Sequence, residues 1–373
     1  MLVTMATFRQ RIASIIRSEQ RNARLLPLRA MSVVFREIIS LRNVLYDRNI
    51  LKVKRLNCKV ISVGNVTVGG TGKTPTVIML AKLLSEKGYR PAILSRGYRG
   101  RTGKRVNVIS NGRYVFMGYK EAGDEPALIA KSVNNIPVIT GKKRYMTGRY
   151  AIEHFGSDVL ILDDAFQHRS LGRDIDIVLL DSQRPFGNRW VLPRGELREP
   201  MVALKRADIL IETTAAGMAE GPGYTLRGKM PPRVGRHISD IPVFRGSRVP
   251  IDIVQGFTDT AFSLDYLRGK KIVAFSGIAE PGNFNTSLRS LGADVVSFLS
   301  FPDHHIYKSE DIVGLRDEFR NTSAEAIVTT EKDGIKLVDF PEFLREIFMV
   351  RIRMEILSSR ELFEQIIMDK LQR

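Results

Sequence analysis

The stretch Thr67-Val68-Gly69-Gly70-Thr71-Gly72-Lys73-Thr74 constrains this chain more than any other. An apolar run, Lys59 to Val63, precedes it, and a helical pattern from Thr74 to Glu86 follows, with Ile78, Leu80, Ala81 and Leu84 for a core face. A glycine-rich turn between strand and helix lets backbone N–H groups close around phosphate oxygens, and the helix N-terminus adds partial positive charge. In a Walker A loop Lys73 neutralises the β- and γ-phosphates and the Thr74 hydroxyl ligates Mg²⁺. The strict pattern has glycine where this chain has Thr67, while Gly69, Gly70 and Gly72 keep the turn pliable. Residues 67–74 are therefore the expected nucleotide site.

Such a loop needs a carboxylate at the end of a neighbouring apolar strand to hold the metal or its water shell. Val159-Leu160-Ile161-Leu162 runs into Asp163-Asp164 and supplies two. Aspartates that end strands also cap helices and form turns. Beside a Gly-Lys-Thr loop they read as the metal region.

Around these motifs apolar runs alternate with helical stretches, the pattern of a parallel sheet with helices on both faces. Further strands are expected at Arg90 to Leu94, Pro137 to Ile139, Val159 to Leu162, Ile175 to Leu180 and Ile209 to Ile211. Gly and Pro gather between Gly217 and Pro232 without periodicity and read as a loop or domain connection. A second α/β text starts near Lys270, with strands at Lys271 to Phe275, Asp294 to Phe298 and Ala326 to Thr329, and helices at Phe284 to Leu291 and Glu310 to Phe319. The expected organisation is a helical segment over 1–56, a P-loop domain over 57–215, a connection over 216–268 and a second, smaller α/β domain over 269–373.

The formal net charge of +18 calls for an acidic partner: nucleic acid, an anionic lipid surface or a phosphorylated substrate. The excess concentrates in residues 1–60, which hold 13 Lys or Arg against three acids. Arg9, Arg11, Arg17, Arg21, Arg24 and Arg29 interrupt every apolar stretch there, so neither a secretory signal nor a transmembrane span is expected. From Leu25 to Leu51 the residues Leu28, Met31, Val34, Ile38, Leu41 and Leu45 recur at helical spacing with Arg29, Arg36, Arg42 and Arg48 between them. This basic amphipathic helix has two placements open to it. It can lie in an anionic membrane interface, or pack its stripe on the protein's own core. The single cysteine, Cys58, allows no internal disulfide and no cysteine zinc cage, which fits a reducing cytoplasm.

Several further blocks stand in order along the chain. They are Gly64-Asn65 before the phosphate loop, Ser95-Arg96-Gly97-Tyr98, Gly123-Asp124-Glu125-Pro126, and Asp163-Asp164-Ala165-Phe166-Gln167-His168. Leu192-Pro193-Arg194-Gly195-Glu196-Leu197-Arg198-Glu199, Phe301-Pro302-Asp303-His304-His305 with Tyr307, and Thr330-Glu331-Lys332-Asp333 complete the set. In this order they resemble the tetraacyldisaccharide 4'-kinases of lipid A biosynthesis, over about residues 25–350. Ala165 departs from the family's usual glycine.

The resemblance implies two α/β lobes, ATP with Mg²⁺ as donor, an acylated disaccharide phosphate lipid as acceptor in the cleft between them, and peripheral attachment to the cytoplasmic face of the bacterial inner membrane. It further implies that Asp124 and His304 prepare the sugar hydroxyl; of the two adjacent histidines the residues favour His304, with Asp303 orienting it. An alcohol is a poor nucleophile at neutral pH, so a carboxylate or imidazole beside the attacking oxygen must take its proton. Glu125 joins Thr74, Asp163 and Asp164 as a candidate metal ligand. Arg96, Gln167, His168, Arg194, Arg198 and Glu199 are the expected substrate or phosphate contacts, guanidinium forks being well matched to phosphate.

Blander readings stand beside these. Gly123-Asp124-Glu125-Pro126 is also a helix start with Asp as cap and Pro in the first turn, and His304-His305 also reads as an ordinary loop pair. Trp190 reads as core or cleft wall. Net charge and phosphate loop together also describe a nucleic-acid-dependent ATPase. Nucleic-acid channels interleave aromatics with cations, however, whereas here the basic excess sits on an apolar-striped helix, so no nucleic-acid partner is expected.

Overall fold

The computed structural model describes residues 25–372 except 99, 103, 216–234, 237, 257 and 259. The basic positions before Leu25 and the Gly/Pro-rich stretch from 217 to 232 lie outside the described residues.

Helix α1 spans Leu26–Asp47 and precedes β1 at Lys59–Asn65, the phosphate loop and helix α2 at Lys73–Glu86. Strands β2 (Pro91–Ser95) and β3 (Asn107–Ser110), helix α3 (Asp124–Ser132), strand β4 (Val138–Thr140) and helix α4 (Arg144–Phe155) follow. Then come β5 (Val159–Asp163), β6 (Ile175–Asp181) and β7 (Ile209–Ala215). β5 and β6 are buried on both faces, which is why their sequences read as continuous aliphatic runs rather than alternations. β7 continues past its apolar run through Glu212, Thr213 and Thr214.

Strand β8, Val243–Gln255, lies within the segment expected to be a connection, and β9 (Ala261–Phe262) pairs back onto it. Arg245, Ser247, Arg248, Pro250 and Asp252 disguise its strand character in the sequence. Pro250 is tolerated because the pairing slips there, leaving Ile251 unmatched in a bulge. The second α/β unit holds β10 (Lys271–Ser276), helix α5 (Pro281–Ser290), β11 (Asp294–Ser300), helix α6 (Ser309–Asn321) and β12 (Ala326–Thr330). The short helix α7 (Glu331–Gly334), strand β13 (Ile347–Ile356) and helix α8 (Arg360–Gln372) close the described chain.

The strands form one sheet in the order β11-β10-β12-β13-β8-β7-β6-β1-β5-β2-β4-β3. Two parallel blocks meet at the antiparallel pair β8·β13. β8 pairs with β7 through Val243 to Arg248 and with β13 through Gly246 to Gln255, so the second block is displaced along β8 beyond the first. β12 pairs with the start of β13, opposite the far end of β8. The reversal turns the carboxyl ends of β10 and β12 toward the carboxyl ends of β1, β2 and β5. In α/β sheets ligands bind outside those ends, and here both sets bound the same cleft.

Helix α1 docks through its polar side. Ser32 Oγ donates to Val191 O and accepts from Arg194 N, both at 2.8 Å. Arg42 and Asn43 donate to Glu199, while Arg169 donates to Asn43 O and Asp47. Most of the apolar stripe faces outward: Met31, Val34, Ile38 and Leu41 are 57–60% exposed.

Candidate active site between the two parallel blocks

The phosphate loop is held from behind and open in front. Thr67 pairs antiparallel with Leu197, Val68 N donates to Glu196 O, and Arg198 N donates to Val66 O. Thr67 is therefore extended backbone outside the lining of the main cleft, and this accounts for a threonine where the strict pattern has glycine. Asn65 Nδ2 donates to Thr71 Oγ1, and Thr213 Oγ1 to Thr71 O. Gly72, at φ 84°, caps α2 in the left-handed region without any side-chain cap. The first N–H groups of α2 consequently face the cleft that Lys73 and Thr74 line.

Asp163 ends β5 and Asp164 turns away at φ 49°, a left-handed conformation that costs a non-glycine residue energy and recurs at functional positions. Ala165 lies outside that region, and its N–H donates to Val63 O, so it needs no glycine. Gly64 is required instead, since a Cβ there would stand 2.6 Å from Phe166 Cβ. Asp164 sits 3.7 Å from Lys73 Nζ and accepts from Arg198 Nη1 at 2.8 and 2.9 Å. Burial works to raise its pKa, but Lys73 and Arg198 outweigh it and hold the carboxyl below its ordinary value.

Asp163 behaves in the opposite sense. Burial, then the charges of Glu125 and Asp164, push its pKa well up despite Lys73 and the bond from Ser95 Oγ at 3.0 Å. Its Oδ1 is buried with no hydrogen-bond partner. An orphaned carboxylate oxygen beside the phosphate loop fits a divalent cation. Among the described residues no cluster of three or more His, Cys, Asp or Glu is arranged to hold a metal. That suits Mg²⁺, which keeps several waters and leans on one or two carboxylates plus phosphate oxygens.

The opposite wall brings two blocks together. Gly123, at φ 90°, lies so close to Tyr98 O that a Cβ would approach to 2.4 Å, and this contact seats Asp124 and Glu125 at the start of α3 against the Ser95-Arg96-Gly97-Tyr98 turn. From the second unit, His304 stands at φ 59° with Nδ1 2.6 Å from Asp124 Oδ2. Burial acts to raise the Asp124 pKa, yet the His304 bond and the Lys332 charge prevail and hold it at about 2. Asp303 reaches only 3.6 Å from His304 Nε2, so the close carboxylate is Asp124.

Gln167 and His168 line the cleft; Gln167 Nε2 donates to Asn65 O at 2.9 Å. Burial and then the charges of Arg144, Arg173 and Arg96 hold His168 down at about 4, a neutral imidazole near pH 7. Arg96 is exposed on the cleft lip, and Arg198 lies within. Two expected phosphate contacts lie elsewhere. Arg194 is 1% exposed beneath α1, and Glu199 is fully buried between Arg42 and Arg206 at 2.5 and 2.8 Å. Neither lines the cleft, because the loop that carries them turns back to anchor α1.

Sequence reasoning gave no role to Arg144, which is buried under Asp163 with Nη1 on Gly141 O and Nη2 on Asp163 O. Burial pulls its pKa down to about 10. Its signal was the basic run Lys142-Lys143-Arg144 after a strand and at a helix start. Arg248 was missed with the rest of β8; its Nη1 donates to Gly70 O at 3.1 Å.

A cleft of about 1820 Å³ thus joins Lys73, Thr74, Asp163 and Asp164 to Asp124 and His304. It exceeds the roughly 300–1,000 Å³ of a typical small-ligand site and leaves room for a second substrate beside a nucleotide. Phosphate loop, terminal carboxylates and an acid–imidazole pair facing them define a P-loop phosphotransferase.

The particular family follows from comparison with known proteins. The family model described as tetraacyldisaccharide-1-P 4'-kinase matches residues 24–372, and the chain belongs to that family. The tetraacyldisaccharide 4'-kinase of Syntrophus aciditrophicus is 47% identical over 349 residues, covering 92% of each chain. That of Pelobacter propionicus is 40% identical, covering 95% of each. The crystal structure of LpxK from Aquifex aeolicus in complex with ATP superposes with a TM-score of 0.74 at 34% identity, covering 94% of this chain and 99% of that one.

Proposed function

We propose that this protein transfers the γ-phosphoryl group of ATP to the 4'-hydroxyl of a tetraacyldisaccharide 1-phosphate, giving the 1,4'-bisphosphate. The observation that carries this reading is the Asp124–His304 pair, which faces the phosphate loop from the far side of one cleft. ATP lies along residues 68–74, with Lys73 on its β- and γ-phosphates. Thr74, Asp163, Asp164 and Glu125 are the residues that would hold Mg²⁺, which would supply positive charge to the phosphate oxygens. The 4'-oxygen attacks the γ-phosphorus as the bond to the β–γ bridging oxygen breaks. Its proton passes to the Asp124–His304 pair, and ADP leaves. Arg198, held by Asp164, and Arg96 on the lip are placed for phosphate oxygens.

The acceptor is a membrane lipid, and α1 supplies a surface for reaching it. Its outward stripe of Met31, Val34, Ile38 and Leu41 enters the acyl boundary of an anionic membrane, on the cytoplasmic face of the inner membrane. Among the described residues no helix is long and apolar enough to cross a membrane.

The test is transfer of labelled γ-phosphate from ATP and Mg²⁺ to a lipid A disaccharide 1-phosphate in detergent micelles. A bisphosphorylated product, absent with Lys73→Ala, is expected. ATP hydrolysis stimulated by DNA or RNA without lipid product would reject the assignment.

A further inference from the structure

Lys332 belongs to Thr330-Glu331-Lys332-Asp333, a block for which the reaction above has no use. Its structural part is plain. Thr330 Oγ1 caps α7 by accepting from Asp333 N, and the buried Asp333 carboxylate accepts from Gly277 N at 3.0 Å, Thr330 Oγ1 at 2.7 Å and Tyr307 Oη at 3.1 Å. Lys336 pairs with the same carboxylate at 2.6 Å. Gly277 in turn accepts from His304 N through its carbonyl. Lys332 and His304 are therefore carried into the cleft by one braced unit.

The ammonium of Lys332 sits among three acids drawn from both blocks of the sheet. Nζ lies 3.1 Å from Glu125 Oε1, 3.9 Å from Asp303 Oδ1 and 4.0 Å from Asp124 Oδ2. Its side chain is 21% exposed, on the cleft surface. Glu125 is close enough to Asp163 to be the principal charge raising that carboxyl, and Asp163 borders Lys73. One continuous patch of acids thus has Lys73 at one end and Lys332 at the other.

We propose that Lys332 is a catalytic residue of the phosphoryl transfer. With nucleotide and acceptor in the cleft, its ammonium turns from Glu125 to an oxygen of the transferring group, opposite Lys73. The proposal rests on the kinase reading above. Negative charge concentrates on the transferring group's outer oxygens between a donor and an acceptor that are both anionic, and fixed cations in a partly dry cleft stabilise it. Lys73 and Arg198, which share Asp164, act from the donor side. Asp124, Glu125, Asp303, Asp163 and Asp164 all add negative charge nearby, so a cation is needed on the acceptor side as well. A lysine suits the exchange of partners, being a compact charge with three rotatable donors on a flexible stem. The three acids hold it at the cleft surface.

The experiment compares wild type, Lys332→Met and Lys332→Arg for kcat and ATP KM with lipid acceptor, for direct ATP binding, and for Tm. Lys332→Met should lower kcat by roughly 10²-fold or more, the scale of one lost electrostatic contact to a transition state. ATP affinity should change by less than about threefold, and Lys332→Arg should recover at least about tenfold in kcat, since it keeps the charge. A Lys332→Met enzyme within about threefold of wild-type kcat overturns the proposal. So does a loss in kcat matched by lost ATP binding or lost Tm and not relieved by arginine, which would make Lys332 a clasp only. Should Lys332→Met fail to fold, Lys332→Gln takes its place in the same comparison. Wild type that makes no lipid product rejects the kinase reading itself; active wild type with an active methionine variant rejects only the role of Lys332.

Discussion

His304 Nδ1 and Asp124 Oδ2 lie 2.6 Å apart although 180 residues separate them in the chain. Each reaches that point by a constrained route: His304 from a left-handed backbone, Asp124 from behind Gly123, which is also at positive φ. The pair exists only because β8 and β13 turn the second parallel block to face the first.

Asp124→Asn should lower kcat by roughly 10²- to 10⁴-fold, the range for a lost general base, and leave ATP binding nearly intact. It should also alter stability with a defined sign. The carboxyl is held at about 2, below its ordinary 3.8, so its ionisation favours the folded state above pH 4 and that contribution fades as pH falls toward 2. Denaturant melts of Asp124→Asn and wild type should therefore differ by on the order of 2 kcal/mol at pH 7 and converge near pH 2. Parallel curves across that window would remove the ion-pair account.

Asp163→Asn should do the reverse for stability while still abolishing transfer. Burial and two neighbouring acids raise its pKa in the fold, so the unfolded chain ionises it more readily and stability declines as pH rises from about 4 toward neutrality. Removing the charge removes that decline. Tm at pH 7.5 should rise, at roughly 2–4 °C per kcal/mol gained, while phosphoryl transfer is lost. A lower Tm would mean that the carboxylate is compensated within the protein.

Glu199→Ala separates anchoring from phosphate binding. Its buried carboxylate pairs with Arg42 of α1 and with Arg206, itself 4.4 Å over the Phe166 ring. Removing it takes the carboxylate from the buried Arg206 guanidinium, at a cost of up to roughly 3–5 kcal/mol. Thermal melting should show that loss while ATP KM of the folded fraction stays within about twofold, a nucleotide contact being expected to cost more. A tenfold rise in KM at unchanged Tm would restore Glu199 to the site.

These outcomes trace what the sequence could disclose. Lys73, Asp163 and Asp164 were legible because a phosphate loop and a strand-ending acid pair are local patterns with a chemical reason. Asp124 and His304 were named through the family resemblance, but the 2.6 Å contact between them depends on a reversal at β8 that no local pattern announces. β8 itself was hidden because Arg248 and Asp252 occupy positions where alternation calls for apolar residues, and both are spoken for: Arg248 by Gly70, Asp252 by Arg351 of β13. Arg194 and Glu199 misled for a related reason. Basic and acidic residues in a loop suggest phosphate, and only tertiary structure shows α1 lying on them.

Helix α1 inverts the usual arrangement, docking polar groups inward and presenting aliphatic ones outward. An amphipathic helix packed on its own protein would bury Met31, Val34, Ile38 and Leu41; here each is more than half exposed, while Ser32 is 1% exposed. Replacing these four with serine should leave Tm within a few degrees, since none contributes to the core. It should sharply reduce sedimentation with anionic liposomes. Each aliphatic side chain fully removed from water is worth about 1.5–3 kcal/mol, so losing even 2 kcal/mol in total lowers partition roughly thirtyfold. Salt sorts the remainder: binding by arginines weakens between about 0.05 and 0.5 M NaCl as the screening length falls from roughly 14 to roughly 4 Å, whereas binding by the stripe persists. Unchanged sedimentation of the four-serine variant would rule out the stripe as the membrane contact.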